Sequence, residues 1–350
     1  MGTNALGANT TASFNTALGH LALVANTTGT SNVAIGCGAL DANTTADKNT
    51  AVGRQSLTTN TTGCHNTAVG ESSMAANLTG DANVAVGMCA LVSNTSADDN
   101  TAVGFKSLSA NTTGTLNTAL GLCALNTNVS SNHNTALGAN SLRDNTGIQN
   151  TAVGSASLMK NSSGENHVAV GYLSLACNTT ASNNTAVGFK SLHVNTTGHS
   201  NVAIGKDSLI ANTDGDGNIA IGVDAMDENT TGGYNTGVGN ESLHSNTTGC
   251  CNVSIGSGSL GQNTTADNNT AVGSLSLSAN TTGACNIAMG SCALIANTTG
   301  SCNHGLGTFS LLANTEGHSN VGVGYQAIKT NTTGDLNVGV GHQALCKSTT

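Results

Sequence analysis

Residues Asn100–Leu116 read N-T-A-V-G-F-K-S-L-S-A-N-T-T-G-T-L, and Asn117 restarts the phrase as N-T-A-L-G-L-C-A-L. Taking the first Asn as position 1, the phrase returns every 17 residues: Asn15, Asn32, Asn49, Asn66 and so on to Asn134. One residue is missing from D-N-T-G at Asp144–Gly147, so Asn150 follows after 16; His167 is the one substitution at position 1. Regular spacing then runs to Asn337, giving 20 coils. Self-similarity at such a period is the mark of a repeat architecture.

No linker or composition shift interrupts the array, so a single uninterrupted repeat domain over residues 1–350 is expected, with incomplete coils at both ends. The N-terminal partial coil carries Gly2, Leu6 and Asn9 in register, and the C-terminal one stops at position 14. Neither end reads as the atypical cap that closes most solenoids. Unpaired strand groups at such ends are a template for another chain. The expectation is an excerpt of a longer array or a unit that stacks end to end.

Composition narrows the function. The chain has 45 Gly, no Pro and no Trp, and 8% charged residues, against about 25% in ordinary domains. Net charge is −9 with only nine Lys plus Arg, which argues against nucleic acid, since that partner needs a concentrated basic face. No apolar run is long enough for a membrane span. Met1-Gly2-Thr3-Asn4-Ala5 lacks the charged and apolar regions of a secretory signal.

Helix is excluded by the recurrence of Gly and Asn and by β-branched residues in many apolar slots. The expected fold is all-β: a parallel β-solenoid, or β-roll, of about twenty 17-residue coils, with two short strands per coil at positions 1–4 and 7–11. Position 5 is Gly in all 20 coils, as at Gly104. It requires either positive φ or a close backbone neighbour. Position 4 (Val103) and position 9 (Leu108) are always aliphatic or Met, and are expected to be the core. Position 2 shares a face with position 4 under a period of two.

Positions 3 and 8 admit only Ala, Gly or Ser. They are expected to pack tightly, against the opposite wall of the coil or, slightly favoured, against a neighbouring chain. Asn111 at position 12 is expected to stack its amide on the next rung. Together Asn100, Val103, Gly104, Leu108 and Asn111 form the expected structural ladder. Positions 6, 7, 10, 11, 16 and 17 vary and should face outward.

Candidate chemistry is sparse. Sequons such as Asn60-Thr61-Thr62 recur at position 12, but a structural Asn-Thr ladder explains them, because glycans do not fit at about 4.8 Å spacing. Asn212–Asn218 (N-T-D-G-D-G-N) is similar to the start of a calcium loop, yet the repeat already requires its Asn212, Gly215 and Asn218. The eleven cysteines occupy variable positions without a metal-type pair. Cys285 and Cys302 share position 17 in adjacent coils, a disulfide geometry on paper, with two stacked thiols the plainer reading. No catalytic constellation, cofactor motif or metal cluster stands out, and no enzyme is expected. Phe105, Tyr172, Phe189 and Tyr325 occupy outward position 6; they are candidate surface-recognition residues, Tyr172 and Phe189 falling in neighbouring coils.

N-T-A-V-G, N-V-A-I-G and N-T-A-L-G resemble the head repeats of trimeric autotransporter adhesins. The fuller phrase A-V-G-x-x-S-L-x-x-N-T-T-G-x-x-N-T-A-V-G is similar to repeats of phage, giant-virus and bacterial surface-fibre proteins. The resemblance covers essentially the whole chain and implies a β-roll, often trimeric, displayed outside a cell or on a virion. No heptad stalk or membrane-anchor barrel is expected within residues 1–350, and the period is longer than that of adhesin heads. Three readings follow: a structural fibre segment whose partner is itself, as homo-oligomer or head-to-tail filament; an adhesin head binding glycan or host surface; and an ice-binding solenoid.

Overall fold

The structure, a computed structural model, describes residues 2–347. Ser348–Thr350, which end the partial C-terminal coil, and Met1 lie outside the described residues. The chain forms two compact units, Met1–Leu173 and Ser174–Thr350. Each is a parallel β-solenoid. The first carries strands β1 (Thr16–Leu18) through β10 (Val168–Val170); the second carries β11 (Thr185–Val187) through β20 (Val338–Val340). Every strand is three residues long and pairs in parallel with the strand of the next coil in its unit. The register is a shift of one repeat: Thr101 faces Thr118, Ala102 faces Ala119, and Val103 faces Leu120.

Among the described residues only one strand forms per coil, at positions 2–4. The second, expected at positions 7–11, is a tight turn instead. In the coil from Asn100, Lys106 and Leu108 adopt φ of 53° and 51°, and Leu116 one of 58°. The same three positions are left-handed along the chain. Each such residue costs about 1–2 kcal/mol. Stacking holds them there, because backbone hydrogen bonds between coils persist through the turn. Lys106 N–H donates back to Met88 O at 3.1 Å, Leu108 N–H donates on to Ala124 O at 2.9 Å, and Ala110 N–H to Asn126 O at 3.1 Å. A stack of identical coils pairs its backbone without needing extended strands.

The interior also differs from expectation at position 4. Ala102, Ser107, Leu108, Asn100 and Asn111 are fully buried, but Val103 is only half-buried and points out. The strand alternates, so Ala102 faces in while Thr101 and Val103 face out. The lumen is thin. At position 3, a Cβ on Gly237 would lie 2.8 Å from Ser242 Oγ and 2.9 Å from Met226 Cε. The largest residue at this position is Ser254, itself fully buried, so the single large side chain at position 9 supplies the bulk. Positions 3 and 8 are therefore small because they meet across the coil, not because a neighbouring chain presses on them.

Gly104 meets both reasons for its glycine. Its φ is 130°, and an added Cβ would lie 2.5 Å from Gly121 O. Beside it, Ser107 Oγ donates to Gly104 O at 3.0 Å.

Two buried asparagine ladders close the coil. Asn111 Nδ2 donates to Asn94 Oδ1 at 3.2 Å and to Gly114 O at 2.9 Å. Asn100 Nδ2 also donates to Gly114 O, at 2.9 Å, while Asn100 Oδ1 accepts from Asn117 N–H at 3.0 Å. Both amides converge on one carbonyl, and each passes a bond along the stack. Buried amides are tolerated only when satisfied in this way.

Candidate functional site

The outward side of the sheet is the most extended feature of each unit. Positions 2 and 4 project from it in two columns, one rung per coil. Position 4 is aliphatic or Met throughout, and no strand residue is Asp, Glu, Lys or Arg. Side chains here are substantially open to solvent: Leu120 is 45% exposed, Ile255 42% and Met289 47%. In the first unit position 2 is mostly threonine, as at Thr101, Thr118, Thr135 and Thr151. In the second it is mostly Val or Ile, as at Val202, Ile219, Val253 and Ile287. His304 is the titratable residue in this face, between Ile287 and Val321 in the position-2 column.

Three residues per rung and about 4.8 Å between rungs give each ten-strand face about 480 Å² in projection. A typical monomer keeps its largest apolar patch to roughly 300–600 Å², and such patches are often functional. This face carries no Asp, Glu, Lys or Arg and is backed by the asparagine ladders. Hydrophobicity alone placed position 4 inside. The signal that locates the face is size tolerance: position 4 accepts Val, Leu, Ile and Met, whereas position 3 accepts nothing beyond Ala or Ser.

The sequence-predicted aromatics are all exposed but not gathered into one site. Phe105 and Tyr172 belong to the first unit, Phe189 and Tyr325 to the second. Lys106 Nζ lies 5.3 Å from the Phe105 ring centre, and Lys190 Nζ 5.3 Å from that of Phe189. Tyr325 stacks on His342 at 5.3 Å and meets Phe309 edge-on at 6.1 Å. Alongside, Gln343 Nε2 donates to Gln326 Oε1 at 3.0 Å. Phe309 and His342 were not singled out by the sequence, because neither shares both column and residue type with Tyr325.

Other candidates have structural roles. The sequon Asn60 is buried, and its Nδ2 donates to Asn43 Oδ1 at 3.2 Å and Gly63 O at 2.9 Å, leaving no N–H for a glycan. In the stretch similar to a calcium loop, Asn212 and Asn218 are buried ladder residues. Asp216 Oδ1 accepts from His199 N–H at 2.6 Å, and Asp214 from the Thr197 hydroxyl. That capping recurs at position 16: Asp47 Oδ1 accepts from Thr30 N–H and Asp98 Oδ1 from Asp81 N–H, each across one coil. Among the described residues no group of His, Cys, Asp and Glu could hold a metal ion, and all eleven cysteines are free thiols. No helix among them is long and apolar enough to cross a membrane.

Exposed ion pairs join adjacent positions or coils. Glu71 raises the Arg54 pKa, and Asp144 that of Arg143. One carboxyl stands apart: burial pushes Asp227 above its ordinary value, with the facing His244 pulling it back. His244 Nδ1 sits 2.5 Å from Asp227 Oδ1, though neither atom is aligned for a hydrogen bond.

A scan of protein-family models finds no match to the chain, and no curated protein matches it significantly in sequence.

Proposed function

We propose that this chain is a structural fibre segment displayed on a cell or virion surface, and that copies of it associate laterally through the outward sheet face. The observation that carries this reading is the pair of uncharged columns at positions 2 and 4. A stable interface needs roughly 800 Å² from each partner, and the roughly 480 Å² projected face of one unit, with its side-chain relief, is of that order. Covering it would bury aliphatic surface at about 25 cal/mol per Å² without desolvating a charge.

Sedimentation velocity on the full chain tests the reading, with Val103→Asp/Leu120→Asp and Ile221→Asp/Ile255→Asp as variants. The chain should sediment as an oligomer, and the variants, losing the lateral contact, should sediment as smaller species with an unchanged circular dichroism spectrum. A wild-type chain that stays monomeric at high micromolar concentration refutes lateral association. End-to-end stacking belongs to the same proposal, because each coil already binds the next through its backbone. Only short dispersed particles under the electron microscope would remove that part.

An adhesive head is the second reading. It is favoured by the Phe309, Tyr325 and His342 cluster beside two glutamine amides, which suits glycan or a host surface. Glycan-array binding that is absent, or unchanged in Tyr325→Ala, counts against it. The threonine column of the first unit gives ice binding its support, and a thermal-hysteresis assay reading zero ends that idea.

A further inference from the structure

The coil from Asn252 is alone in carrying glycine at both position 7 (Gly258) and position 10 (Gly261). Leu275 Cδ2 leans over Gly258, 2.8 Å from where a Cβ would stand, while the side chain missing at Gly261 leaves room, and a cavity of about 300 Å³ opens between the neighbouring coils. Glu241 and His244 wall it on one side, Leu275 and Ser278 on the other, with Gln262 and Ala279 beside them. That volume is at the lower end for small-molecule sites, which are mostly apolar with a few convergent polar groups.

Carboxylates gather on the Glu241 side of the cavity. Asp224 precedes Glu241 in the position-7 column, and Asp227 and Glu228 precede His244 and Ser245. The nearby cation is already engaged: Lys206 Nζ lies 2.8 Å from Asp207 Oδ2 and 3.8 Å from Asp224 Oδ1. His244 turns Nδ1 to Asp227 and Nε2 toward Glu228, 3.9 Å away. Glu241 has no ion-pair partner among the described residues.

We propose that this cavity binds a primary alkylammonium group, the chemistry shared by a lysine side chain and a polyamine. An ammonium has three N–H donors and no acceptor. The Glu241 carboxylate, the Gln262 carbonyl and the Ser278 hydroxyl supply three acceptors. The alkyl chain lies over Leu275 and Ala279, which a neutral sugar would not need and a bare inorganic cation could not use. The site is on the turn surface, away from the sheet face, so it stands or falls independently of lateral association.

Saturation-transfer NMR on the full chain tests the site with n-butylammonium, methylammonium, spermidine and Nα-acetyl-lysine methylamide as probes. Butylammonium should bind, and affinity should fall about fourfold for each methylene removed from the chain. Glu241→Gln should weaken binding at least fivefold. Gly261→Val should abolish it by filling the cavity. That variant should fold, because this chain already places valine at position 10 in Val24 and Val92, and a Cβ on Gly261 meets nothing closer than 3.3 Å. Glu316→Gln, an equal charge change elsewhere in the same unit, should leave binding unchanged. Tighter binding of spermidine than of the lysine amide assigns a free polyamine, and the reverse assigns a protein lysine. The proposal is overturned if butylammonium gives no saturation transfer at tens of millimolar. It is equally overturned if Glu241→Gln and Gly261→Val leave binding intact, or if Glu316→Gln weakens it as much as Glu241→Gln does.

Discussion

Restoring the missing residue of the short coil, by inserting a threonine between Thr146 and Gly147, should stabilise the first unit. In a regular coil the position-12 amide donates to the preceding asparagine, as Asn128 Nδ2 does to Asn111 Oδ1 at 3.0 Å. In the short coil Asn145 Nδ2 reaches only Gly147 O, at 2.8 Å. Asn128 Oδ1 is consequently buried without a partner. Returning a donor to a buried orphan acceptor recovers about 1–3 kcal/mol. The added residue costs about 1–2 kcal/mol to order. Its own N–H should pair with the next coil, as Thr113 N–H does with Val129 O at 3.3 Å, contributing about 0.5–1.5 kcal/mol. At the middle of these ranges the net is about 1.5 kcal/mol, a roughly tenfold smaller local opening constant. Hydrogen exchange read by mass spectrometry over residues 125–150 is the assay, since repeat arrays need not unfold in one step. Deleting Thr113 should do the reverse around Asn94. If the insertion leaves exchange unchanged or faster, the ladder is not what stabilises the stack.

Three further outcomes are expected. Ala102→Val should lower stability by about 1–3 kcal/mol through overpacking, while Val103→Thr should stay within about 0.5 kcal/mol; equal effects in thermal melts would contradict the inside-out assignment of this strand. Asn111→Ala should cost about 1–3 kcal/mol, because Asn94 Oδ1 loses its donor; chemical denaturation showing no loss would argue that water fills the gap. Asp227 holds its proton more tightly in the fold than at its ordinary value of 3.8, chiefly through burial. Its favourable contribution is therefore complete below 3.8 and is lost as pH rises through the raised folded value. The melting temperature of Asp227→Asn relative to wild type should accordingly rise between pH 3.5 and pH 7, and a constant difference would exclude a burial-raised carboxyl.

The repeat was legible because Gly104, Asn100 and Asn111 answer to backbone requirements that no other residue meets, and so recur without exception or nearly so. Leu108 was legible as core for its bulk. Val103 was misread because hydrophobicity says what prefers burial and not how much room a lumen offers. In a coil this narrow Ala102 takes the inside, and the larger aliphatic is left out. The turn over positions 6–11 was hidden for another reason. Lys106 and Leu108 carry no glycine or asparagine signature for left-handed φ, and the stacking bonds that hold them there exist only between coils. The Gly258 and Gly261 cavity was invisible because glycine in a glycine-rich chain attracts no notice until its column is known.

The asparagine ladders have a mechanical consequence. Bonds between coils run along the stacking direction, so tension on a unit loads every coil-to-coil join in series. Each join in the first unit bears the same force, whatever its neighbours can withstand. The strength of that unit is then the strength of its poorest join. The unmatched Asn128 oxygen beside the short coil places that join between Asn128 and Asn145, where the stack would part before any regular coil had begun to yield.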